Sequence, residues 1–362
     1  MRGSPPFSSI SIFDAMDRET SPLVFLFTAI VMLGALLSSS VMLPHERYYR
    51  FQAHDNVTTR KADWIYERLH FDETPVDVAL IGTSRMAGGL SGPQIERAYC
   101  EATGRRIHVA NFAIPVTGRN MHYVIAKEAA RQKAPALIVV ELNDVESRRP
   151  HPGFIILANA EDVLSAPLIL NLNYFSDLIR LPGRQFQLFI EKVLNRPKIR
   201  QSFDKEDYAG PNLDLTEIMF AIDGRIKSRR ITHSREHMEF LREKRAAKIH
   251  RTFFLPGPLK FAEYRFARIY LNKIERVGAA HGGDVEYAYM PAYGEPAAPV
   301  DMLAEIRLQT PSFDLGADIA TDHEFWLDAT HLNADGAAEA SKRFTEQLVA
   351  SGKFFSREGA CK

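Results

Sequence analysis

Cysteine is nearly missing from this sequence: there are two in 362 residues, Cys100 and Cys361, far apart along the chain. Two cysteines supply neither a metal-ligand spacing nor a disulfide framework, so small stapled scaffolds and zinc-ribbon classes are set aside. A single bridge is allowed but nothing requires it, and scarcity of this kind fits either redox compartment. Net charge is missing too, with 45 basic residues against 45 acidic ones. A balanced chain has no bulk attraction to nucleic acid, and no nucleic-acid partner is expected. No internal repeat is present, which excludes solenoids and propellers. What remains is a chain with ordinary hydrophobic content, 46%, long enough for one large domain or two modest ones.

Charge is also absent from one continuous stretch, Pro22 to Leu43, which is apolar throughout apart from a few hydroxyls. A helix of that length rises about 1.5 Å per residue and covers roughly the 30 Å hydrocarbon core of a bilayer. The small residues Ser38 to Ser40 would suit a cleavage site. The run is nevertheless longer than a signal core and starts well inside the chain, so a retained membrane anchor is expected over 22–43. The polar residues 1–21 read as a poorly ordered tail. Arg47, Arg50, Arg60 and Lys61 follow the span while Arg2 and Arg18 precede it. That bias does not favour an amino terminus on the cytoplasmic side, although a long following domain is exported largely regardless of it.

After a helical lead-in over 44–75, Val76 to Ile81 forms an apolar, β-branched run interrupted by Asp77 and stopped by Gly82. Such a run is a buried parallel strand ending in a tight turn. Ser84 then sits just beyond the strand's carboxyl end, ahead of a helix expected from Pro93 to Ala102. Further strands are expected at Arg106–Ala113, Pro135–Asn143 and Val285–Tyr293, with a helix over Asn120–Lys133 between the second and third. Strand and helix alternating at this spacing predict a three-layer, doubly wound, mostly parallel α/β sheet. Residues 147–282 break the pattern and are expected to be a helical insertion within one domain spanning 76–350, followed by a tail over 351–362. Arg225 to Arg251 is densely basic, which fits a solvated helical face or a surface for anionic headgroups or an acidic polymer.

Chemistry-bearing residues collect at the ends of these strands. Ser84 is a candidate nucleophile, although Gly82-Thr83-Ser84 alone reads as a polar turn. Near the other end, Asp328 precedes His331 by three residues, ahead of a helix from Asp335 to Val349. A carboxylate so placed can hold the imidazole Nδ1–H, leaving Nε2 to take a hydroxyl proton. Asn143-Asp144 ends the third strand, where an amide could donate to an oxyanion or merely form a turn. With Gly118 in the loop after the second strand, these blocks together resemble the SGNH (GDSL-like) hydrolase superfamily over Val76–Val349. Thr83 stands where that family has aspartate, and Glu141 stands where its Gly-x-Asn-Asp block has glycine.

The resemblance implies a flavodoxin-like SGNH fold and a Ser84–His331–Asp328 triad. It also implies an oxyanion hole from Ser84, Gly118 and Asn143, with no cofactor and no metal. With the anchor, it is similar to the membrane-anchored branch that includes DltD-like and alginate O-acetylation proteins. The expected function is therefore a serine esterase or O-acyltransferase acting on acyl, above all acetyl, esters of a cell-envelope polysaccharide. An acylated carbohydrate or other small ester would be its substrate and a membrane-bound O-acyltransferase its partner. By the same resemblance the domain lies outside the cytoplasmic membrane. Two alternatives stand beside this: a non-catalytic SGNH-like scaffold that binds polysaccharide, and a soluble lipase-like enzyme with an open apolar acyl pocket.

Overall fold

A computed structural model describes residues 22–52, 59, 61–196, 198–204, 206, 213–220, 225–250, 255, 257–259, 261–308, 310–316, 318–353 and 361. The expected polar tail, 1–21, and most of the expected carboxyl-terminal tail lie outside the described residues. In chain order, α1 (Pro22–Val41) is followed by the short α2 (Arg47–Arg50) and by α3 (Ala62–His70). Then come β1 (Val78–Ile81), α4 (Ser84–Gly89), α5 (Gly92–Thr103), β2 (Val109–Asn111), α6 (Arg119–Lys133) and β3 (Leu137–Leu142). The middle of the chain holds α7 (Phe154–Leu157), α8 (Ala160–Leu164), α9 (Tyr174–Leu194), β4 (Ile218–Phe220), β5 (Ile226–Ser228) and α10 (Arg235–His250). The chain closes with α11 (Phe261–Ala280), β6 (Asp284–Tyr289), α12 (Val300–Ile306), β7 (Phe313–Asp314) and α13 (Ala334–Ala350).

Five strands pair in parallel in the order β2-β1-β3-β6-β7. Successive residues of a strand face opposite sides of a sheet, and both faces here are covered. Ala79, Ile81, Ile138 and Val140 pack with α3, α6 and α11 on one side. Val78, Leu80, Leu137 and Val139 pack with α4, α5 and α13 on the other. Burial on both faces explains why β1 and β3 read as continuous apolar runs rather than alternating ones. The strand order reverses between β1 and β3. Crevices at such a reversal, beyond the carboxyl ends of the strands, are where α/β sheets bind ligands.

Several boundaries differ from expectation. The second strand pairs over Val109–Asn111 alone, and β6 stops at Tyr289, two residues short of Pro291. The insertion is not purely helical, because β4 and β5 form an antiparallel hairpin. The two-residue β7 extends the sheet without any apolar run that sequence could flag. The expected terminal tail is tied down at Cys361, which is disulfide-bonded to Cys100 on α5, across a sequence separation of 261. Pairing two lone cysteines depends on where α5 and the chain end meet, which spacing does not encode.

Helix α1 is 20 residues long, uncharged, and exposes its large side chains along its length. By length and composition it can cross a membrane.

Candidate active site

The loop that carries Ser84 is built at the end of β1. Thr83 caps α4, its hydroxyl accepting from the Arg85 N–H at 3.2 Å, as short hydroxyl side chains do at helix starts. Ser84 is the first residue of α4, where a backbone N–H has no intrahelical acceptor. Beneath the loop lies Glu141 of β3, fully buried. Its carboxylate accepts from the Thr83 N–H at 2.6 Å, the Thr83 hydroxyl at 2.8 Å and the Met86 N–H at 3.2 Å. Glu141 needs the room that Gly82 leaves. A Cβ at position 82 would stand 2.7 Å from the Glu141 Cβ and 2.8 Å from the Met86 Cβ. The two positions that depart from the SGNH pattern, 83 and 141, are therefore in contact with one another.

His331 comes from the turn before α13. Asp328 accepts from the backbone N–H groups of Thr330 at 2.7 Å and of His331 at 3.0 Å, which folds the turn around its carboxylate. That carboxylate also receives the His331 Nδ1–H, at 2.8 and 3.0 Å to its two oxygens. With Nδ1 committed as donor, Nε2 is left as acceptor, and it lies 2.8 Å from Ser84 Oγ. Burial pushes the Asp328 carboxyl up, but the hydrogen bond and charge of His331 and the bonds from Thr330 outweigh it. The net result holds Asp328 well below the usual carboxylate range. Residues 247 apart in sequence thus meet in a serine–histidine–carboxylate relay.

Gly118 and Asn143 line one polar pocket together with Thr83, Thr117, Arg119 and His122. The Asn143 carbonyl oxygen accepts from the Val145 N–H at 3.1 Å, so its amide nitrogen is the end left to donate. Apart from a long 3.5 Å contact to Glu141, that nitrogen is uncommitted among the hydrogen bonds of the described residues. Gly118 caps α6 with φ +156°, and a Cβ there would lie 2.6 Å from the His151 Cα. Position 118 is therefore restricted to glycine. His122 is buried on α6 and accepts from Arg119 at 3.1 Å through Nδ1, which places its proton on Nε2. Burial, then the charges of Arg119 and His151, push its pKa well down and keep it neutral.

The basic stretch contributes residues that sequence treated as surface. Arg245 on α10 points inward and, with Arg85 at 2.7 Å, pairs with Asp144. Burial raises the Asp144 pKa, but the two guanidiniums outweigh it and hold the carboxyl down. Arg229 is buried against Gly88 and donates to the Leu332 carbonyl at 2.5 Å. The His233 ring contacts the Leu327 carbonyl at 3.1 Å, and the Asn333 amide donates to the Ile231 carbonyl at 2.9 Å. The segment 229–233 thus straps the His331 turn from outside. Lys227, Arg230 and Lys244 of the same stretch are exposed, while Arg251 lies outside the described residues. Met238 and Leu241, at helical spacing ahead of Arg245 and packed on the core, are the sequence signal that could have marked its inward face; Arg229 has no such neighbours.

Among the described residues no His, Cys, Asp and Glu cluster could hold a metal ion. Neither a scan against protein-family models nor a search of curated proteins found a match for this chain.

Proposed function

We propose that this chain is a membrane-anchored serine esterase or O-acyltransferase of the SGNH type. Its substrates would be acetyl or similarly short acyl esters of a cell-envelope or exported polysaccharide. The observation that carries this reading is the relay from Ser84 Oγ through His331 to Asp328. His331 Nε2 takes the hydroxyl proton as Ser84 Oγ attacks the ester carbonyl, and Asp328 stabilises the imidazolium. The Ser84 and Gly118 N–H groups and the Asn143 amide hold the oxyanion. As the C–O bond breaks, His331 returns the proton to the leaving alcohol, which leaves an acyl-serine. Water or a sugar hydroxyl then attacks, giving its proton to His331, and Ser84 is regenerated.

Three further features support the reading. Gly118 and Asn143 share one polar pocket with Thr83, the chain neighbour of Ser84, which puts both expected oxyanion donors near the serine. The Thr83–Glu141 pair supplies a carboxylate acceptor beneath the nucleophile loop, so the two departures from the family pattern compensate one another. The anchor together with a Cys100–Cys361 bridge fits a domain held in an oxidising compartment outside the cytoplasmic membrane, where a membrane-bound O-acyltransferase could pass it acyl groups. The non-catalytic alternative would be favoured by a serine turned away from its base, and a 2.8 Å contact argues against it.

The test is hydrolysis of p-nitrophenyl acetate by the full chain in detergent, beside Ser84→Ala and His331→Ala. Both variants are expected to lose about a thousandfold or more in kcat, since such residues act as one unit. Equal rates in all three proteins would sink the esterase reading.

A further inference from the structure

Helix α9 is unlike the other surface helices, because its apolar residues do not stop where the protein stops covering them. Asp177, Leu181, Gln185 and Leu188 are buried against the domain. On another side, Phe175, Ile179, Phe186, Ile190 and Val193 are exposed, Ile179 by 80%. At about 100° per residue these five fall within an arc of about 60°. The polar positions Ser176, Arg180 and Gln187 are confined to a separate sector. A surface helix of a soluble domain needs one apolar stripe, facing inward; α9 carries a second, facing out. The turn that leads into it adds further exposed apolar residues, Leu164, Leu168, Ile169 and Leu172, Ile169 by 83%. An apolar surface this continuous is what a monomeric domain avoids unless something covers it.

What covers it follows from its neighbour. Helix α9 packs against α1, the one helix among the described residues long and apolar enough to cross a bilayer. The exposed stripe is therefore carried on a helix that neighbours the candidate span. Exposed cations sit beside it, Arg180 on the polar sector and Arg196 and Lys198 just past the helix end. Apolar residues on one face with basic residues at its edge are the composition of a helix that lies in the headgroup region of an anionic bilayer.

We propose that α9 and the turn over 164–172 form a second membrane contact, lying in the plane of the phospholipid bilayer beside α1. This rests on the reading of α1 as a span, and it fixes something a single anchor leaves free. One helix on a lead-in lets a domain tumble above the membrane. Two contacts on different elements hold it in one orientation, so the Ser84 cleft keeps a set attitude to the lipid surface.

The experiment places one cysteine at a time in the full chain, at Ile179, Phe186, Gln187 or Val31. Cys100 and Cys361 are paired with each other, so an environment-sensitive fluorophore goes to the introduced site. The protein is reconstituted in phosphatidylcholine–phosphatidylglycerol vesicles with and without doxyl-labelled lipid. Emission from Ile179→Cys and Phe186→Cys is expected to shift to the blue and to be quenched at least threefold more than from Gln187→Cys. Quenching at position 31 with equal, weak quenching at 179, 186 and 187 overturns the proposal while leaving the span in place. Absence of quenching at all four positions overturns both. Cross-linking between two chains through Ile179→Cys without lipid quenching identifies a second copy as the occupant, and also overturns it.

Discussion

Glu141 shows how one side chain can organise the loop that carries Ser84 without bonding to Ser84 itself. It accepts three hydrogen bonds from Thr83 and Met86 in a fully buried setting. Glu141→Leu would leave those donors without partners, and a cost of about 3 kcal/mol is expected in urea unfolding, with Glu141→Gln losing clearly less. Asp328 gives a pH prediction whose sign is fixed by its depressed pKa. A carboxylate held down in the folded state adds stability above its unfolded value and loses it as pH falls through the folded one. The difference in Tm between the native protein and Asp328→Asn is therefore expected to be full at pH 6 and to shrink as pH drops below about 4. A difference that grew on acidification would refute the assignment. Ser84, Asp328 and His331 were legible because their residue types and order carry a pattern. Glu141 was not, since against that pattern it reads as a departure. Its purpose emerges only when Gly82, 59 positions earlier, is seen to make room for it.

At the scale of elements, the buried strands β1 and β3 announced themselves through runs of β-branched residues, and α5, α6 and α13 as helical runs between and after the strands. The hairpin β4–β5 has no such run, and β7 is too short to show one. The strap over 229–233 was hidden for a different reason: arginine has one hydropathy whether it faces water or a carbonyl. Arg229→Ala should loosen the His331 turn by removing the donor to Leu332. A fall in kcat of about tenfold or more with little change in KM is expected, because small misplacements of a base are costly while substrate contacts persist. Steady-state kinetics on the acetyl ester, beside Arg230→Ala as an exposed neighbour with no expected effect, checks it. An equal loss in both variants would place the effect in charge rather than in position.

For the whole molecule, the long apolar helix α1 was legible as an uncharged run, and the bridge from Cys100 to Cys361 was not. The double variant Cys100→Ser/Cys361→Ser should lower stability by about 2–4 kcal/mol in urea unfolding, through the freedom it returns to the unfolded chain. Its acetyl-ester rate should be unchanged, since neither cysteine touches the relay. The separation between Ser84 and His331 has one more consequence. If Ser84 and His331 are the proposed catalytic pair and α1 the proposed anchor, a ribosome delivers the serine 247 residues ahead of the histidine, so a chain stopped between them is tethered yet inert. On the proposed reading, acyl chemistry begins only once synthesis has passed His331, which makes the order of translation itself a safeguard against half-built catalysts.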